Sequence, residues 1–67
     1  MDADLEKVFR AWEQWDTAIE ARDKATYRRR FEQARDRFLR SKGIKMTAEE
    51  FIVYAKVGYR RWLLRKH

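Results

Sequence analysis

No proline and only two glycines interrupt these 67 residues, and that scarcity constrains the fold more than any other feature. Strands joined by tight turns need residues that adopt φ > 0 or a fixed φ, so a β sandwich or barrel would carry many more of both. A chain whose first glycine is Gly43 has the punctuation of a few long helices instead. There is also no cysteine, so neither a disulfide nor a thiolate metal site can staple the structure. A domain this short buries about 60% of its unfolded surface, and its core alone has to supply a margin of a few kcal/mol. Ten aromatic residues are the material for that core, and they are too many for a disordered tail. One all-α domain over residues 1–67 is expected.

Stepping the residues at the helical angle yields three segments. In the first, from about Asp4 to Arg22, Leu5, Val8, Phe9, Trp12, Trp15 and Ile19 share one face. Asp2 or Asp4 caps it, and Glu6 sits favourably in the first turn. Asp16 falls within the apolar arc, and a rim pairing with an arginine of a neighbouring helix is expected for it. In the second, from about Lys24 to Lys42, a narrow stripe of Tyr27, Phe31, Ala34 and Phe38 is surrounded by charge, and Gly43 offers the stop. The third carries the strongest local signal. Thr47-Ala48-Glu49-Glu50 is a capping box, with Met46 and Phe51 at the positions of a hydrophobic staple, so a helix starts at Ala48 and runs close to the C-terminus.

The apolar stripe rotates between Ile19 and Tyr27, and Asp23 and Thr26 are acceptable N-caps, so a kink or turn is expected near residues 22–26. The expected architecture is a small three-helix bundle. The alternative is one long helix over residues 4–42 plus a C-terminal helix, paired in a helical dimer.

Charge is segregated along the chain. Residues 1–20 carry six acids against Lys7 and Arg10, whereas residues 21–45 carry ten bases against three acids. The net charge of +6 therefore resides mainly in the middle segment and, less strongly, at the C-terminal end. In the middle segment seven arginines outnumber three lysines. Arg29, Arg30, Arg37 and Arg40 fall within an arc of about 100° on a helical wheel. With Arg28, Arg35, Lys42 and Lys45 they form a surface suited to a phosphate backbone, because guanidiniums stay charged and donate in pairs to phosphate oxygens. Arg60 and Arg61, between Tyr59 and Trp62, add a second basic cluster. The competing reading is a solvated face balanced internally by the acidic first segment. Tyr59 and Trp62 lie at core spacing with Phe51, Ile52, Ala55 and Leu63, which favours packing over stacking on bases.

The third helix has a surplus. Val53, Tyr54, Val57 and Leu64 lie away from its core stripe, and a peripheral helix of a closed bundle has no use for two apolar faces. A homodimer or the docking of another protein would cover it, and Gly58 in mid-helix suggests a close crossing.

No catalytic, metal or cofactor chemistry is expected. The single histidine is the terminal His67, the single serine is Ser41 beside the helix stop, and no glycine-rich phosphate loop exists. Phe38–Ile44 followed by Thr47 admits a helix-turn-helix, but its second helix would present Glu49 and Glu50 first to a groove. The acidic N-terminal residues give no expectation of a secretory leader, and the longest uncharged apolar run, Phe51 to Ala55, is far short of a membrane span. The expected protein is cytoplasmic, not an enzyme, and binds DNA or RNA through phosphate contacts. Its alternative role is a small interaction factor that docks through the third helix.

Overall fold

The Asp2 carboxylate starts the first helix by accepting hydrogen bonds from the backbone N–H groups of Asp4 (2.8 Å) and Leu5 (3.2 Å), two donors the helix itself leaves unpaired. In the computed structural model, which describes residues 2–66, three helices follow: α1 (Ala3–Thr17), α2 (Ala21–Lys42) and α3 (Ala48–Lys66). They form an all-α three-helix bundle, with no strand among the described residues. The long-helix alternative is excluded: residues 4–42 in one helix would span about 58 Å, against a longest molecular dimension of 34 Å. His67 lies outside the described residues.

The break between α1 and α2 comes earlier than the expected 22–26. It occupies residues 18–20, where Ala18 and Glu20 have extended backbones. Helix α1 accordingly ends at Thr17 rather than near Arg22, and Ile19, expected at the end of its apolar stripe, lies in the connection at 91% exposure. The cause is packing. Trp15 and Trp12 both meet Phe31 with ring centroids 5.4 Å apart, which sets the register of the antiparallel pair and leaves Ile19 nothing to pack on. The expected caps Asp23 and Thr26 lie inside α2, where the Thr26 hydroxyl donates to the Arg22 carbonyl at 3.1 Å. Glu20 begins α2 without a side-chain cap.

The other two boundaries fall where the local signals put them. Gly43 has φ 66°, a left-handed conformation that costs other residues a steric penalty. Its N–H donates to the Arg40 carbonyl and the Ile44 N–H to the Leu39 carbonyl, the paired bonds of a Schellman motif, and Ile44 packs onto the core. At the start of α3 both arms of the capping box form: Thr47 N–H donates to Glu50 Oε1 (2.8 Å), and Glu50 N–H to Thr47 Oγ1 (3.1 Å). Thr47→Ala removes that acceptor. It should cost about 1 kcal/mol and lower the melting temperature by roughly 4–8 °C, read by thermal circular dichroism.

The core is an aromatic layer between the helices. Phe9, Trp12, Phe31, Phe38, Phe51, Tyr59 and Trp62 are buried together with Val8, Ala11, Leu39 and Ala55. Trp12 and Tyr59 stack with centroids 4.2 Å apart and planes within 3°, while Phe51 meets Phe31 and Phe38 edge-on at 6.1 and 6.2 Å. Burial of Tyr59 and Trp62 assigns both to the core and removes them as platforms for bases. Gly58 permits a close approach, since a Cβ at this position would stand 3.3 Å from Cζ of Phe9. Asp16 is exposed, and its partner is a tyrosine rather than the expected arginine: the Tyr59 hydroxyl donates to Asp16 Oδ2 at 2.9 Å. Burial, together with this bond to a carboxylate, pushes the Tyr59 hydroxyl pKa well above its usual value.

Candidate nucleic-acid interface

Burial of Phe31, Phe38 and Leu39 turns one face of α2 inward and thereby decides which of its cations face solvent. Arg29, Arg30, Arg37 and Arg40 all stand on the exposed side. From Arg29 to Arg40 the helix rises by about 16 Å, the length of about five phosphates along one DNA strand.

The acidic α1 neutralises only part of this surface. Asp2 Oδ2 takes Lys42 Nζ at 2.6 Å, Asp4 takes Arg37 at 3.6 Å, and Glu13 takes Lys66 of α3. The hydrogen bond from Lys42 is the main reason the Asp2 carboxyl is held below its ordinary pKa, with the Leu5 and Asp4 amides adding to it; the same bond raises the Lys42 ammonium above its own. Two more cations are held within α2, Arg28 by Glu32 at 3.8 Å and Arg35 by Asp36 at 3.1 Å. The Arg28 guanidinium also lies over the Trp15 ring, 5.9 Å from its centroid. The Arg35 side chain is largely covered.

Three members of the outward arc remain uncompensated. Arg29, Arg30 and Arg40 form no ion pair among the described residues, and Arg30 rests against the Tyr27 ring at 5.4 Å. Lys45, in the turn before α3, is exposed and likewise unpaired. Arg60 and Arg61 are exposed on α3, on the outer face that also carries the apolar surplus, and so form a separate patch.

The geometry adds two residues that segment charge had assigned to the acidic helix. Lys7 and Arg10 line a groove with Arg30 and Arg37 of α2, and Arg10 also borders Trp62 and Arg65 on the α3 side of α1. Their spacing of three residues placed them on one helix face, but only the packing of α1 on α2 reveals what that face borders.

The outer face of α3 is bare. Val53, Val57 and Leu64 are 76%, 58% and 79% exposed, with Tyr54 beside them. No helix among the described residues is long and apolar enough to cross a membrane, and no group of three His, Cys, Asp or Glu residues there is placed to hold a metal ion. The Ser41 hydroxyl donates to the Phe38 carbonyl at 2.8 Å. Family models, characterised proteins and solved structures offer no match to this chain.

Proposed function

We infer that the protein binds nucleic acid through phosphate contacts of α2, with little or no dependence on base sequence. The observation that supports this most is the ridge of Arg29, Arg30 and Arg40, exposed on one helix face and left without carboxylates although α1 carries acids nearby. Uncompensated guanidiniums held on a rigid helix repel one another, and a polyanion relieves that repulsion while releasing its own counterions. Salt tests the reading. Affinity for duplex and single-stranded oligonucleotides should fall steeply with ionic strength, with a log–log slope of about 0.9 per phosphate neutralised on duplex DNA. No measurable binding at low salt rejects it.

A second reading concerns the bare face of α3. We propose that a second copy of the chain covers Val53, Tyr54, Val57 and Leu64 about a two-fold axis, because a core this small gains most from added apolar burial and one patch pairs readily with itself. Arg60 and Arg61 beside the stripe repel across such an axis, so the dimer should tighten as salt screens them, opposite in sign to nucleic-acid binding. Sedimentation equilibrium of wild type and Val57→Glu reads this directly. A wild type that stays monomeric at high micromolar concentration and moderate salt refutes the dimer and leaves another protein as the occupant to seek.

A further inference from the structure

The groove between α1 and α2 has a volume of about 370 Å³, and Lys7, Arg10, Arg30 and Arg37 reach into it from both helices. Its existence follows from small side chains: Ala11 and Ala34 lie where the two helices pack and leave room between the longer residues around them. No carboxylate is among the residues lining it, while the amides of Gln14 and Gln33 supply further hydrogen-bond donors.

Two of the four cations are already tethered, Arg10 to Glu6 at 3.2 Å and Arg37 to Asp4 at 3.6 Å. Each of these contacts engages one nitrogen of a guanidinium that has five N–H donors, and both arginine side chains remain about two-thirds exposed. Both ion pairs are solvent-exposed contacts of small value, and each leaves guanidinium donors over. Lys7 and Arg30 form no ion pair among the described residues. With Lys7 and Arg30 unpaired and Arg10 and Arg37 only partly compensated, the concavity keeps a net positive potential, which favours an anion with several acceptor oxygens. Between Arg30 and Arg37 the helix rises by about 10 Å, the length of about three phosphates along one strand of a duplex.

We propose that this groove seats backbone phosphates of the bound nucleic acid, so that Lys7 and Arg10 of the acidic helix belong to the binding surface together with the α2 arginines. The proposal rests on the nucleic-acid reading above and narrows it to a place: the strand runs along the α1–α2 seam, not only over the crest at Arg29 and Arg40.

The test compares Lys7→Gln/Arg10→Gln with a charge-matched control, Lys56→Gln/Arg65→Gln on α3, using a labelled duplex oligonucleotide and fluorescence anisotropy. Both variants lose two positive charges, so a difference between them reports location and not net charge. The groove variant should bind about tenfold more weakly near 0.1 M salt, and its log–log salt slope should be lower by up to about 1.8. The control should change little. As a readout independent of any substitution, backbone amide resonances of wild type around residues 7–14 and 30–37 should shift on titration with the same oligonucleotide. Equal affinity of the two variants, with shifts confined to the crest of α2, overturns the groove and leaves the α2 reading standing. Absence of binding by wild type at low salt overturns both.

Discussion

Phe51→Ala unfolds the protein at room temperature. Phe51 is completely buried, meets Phe31 and Phe38 of α2 edge-on, and is the staple residue that sets how the chain enters α3. Removing a buried phenyl ring costs about 3–5 kcal/mol through lost transfer energy and the cavity left behind. A core of this size rarely supplies more than about 3–5 kcal/mol in total, with no disulfide to limit the unfolded chain. The expected result is loss of the cooperative thermal transition seen by circular dichroism, whereas Phe51→Leu, which keeps most of the apolar volume, stays folded with a lower midpoint. Val53→Ala, two residues away on the exposed side, should move monomer stability by no more than about 0.5 kcal/mol. A Phe51→Ala variant that melts within a few degrees of wild type would mean that α3 does not dock through this ring.

Replacing Arg29, Arg30, Arg37 and Arg40 together with Gln should abolish most nucleic-acid affinity and leave the fold intact. All four are exposed, Gln is a good helix former, and the one ion pair lost, Arg37 with Asp4, is a solvent-exposed contact of small value. If each arginine neutralises one phosphate of duplex DNA, the four account for a log–log slope of about 3.6. That slope corresponds to roughly a hundredfold change in affinity between about 50 and 200 mM salt. The variant should bind at least about two orders of magnitude more weakly at low salt and respond much less to added salt. Unchanged binding with unchanged helicity would move the site off α2, and Arg60 and Arg61 of α3 would become the next residues to replace.

What the sequence determined by itself is the local part of this protein. Helix content follows from apolar spacing and the near absence of glycine and proline. The stop at Gly43 and the start at Ala48 were legible because each depends on side-chain and backbone bonds among residues at most five apart: Gly43 and Ile44 with Arg40 and Leu39, Thr47 with Glu50. The outward arc of α2 was legible too, since an apolar stripe at one angle implies a solvated face at the other. The surplus aliphatic residues of α3 stood out for the same reason.

Tertiary structure decided the rest. The α1–α2 break lies at residues 18–20 because Trp12 and Trp15 have to meet Phe31, a constraint between residues sixteen to nineteen positions apart that no local cap announces. Ile19 fits the periodic stripe and is nevertheless outside the helix. Asp16 bonds to Tyr59, far along the chain, for a reason of the same kind: α3 happens to bring a hydroxyl, and not a guanidinium, to that point. Charge sums over segments could not say which arginines the acids of α1 would neutralise. Asp2 and Asp4 reach Lys42 and Arg37 only because α1 and α2 pack antiparallel, and the same packing turns Lys7 and Arg10 from minor residues of an acidic helix into one wall of a cationic groove. Periodicity assigns a residue to a face of its own helix, but which neighbour borders that face depends on how the aromatic core closes.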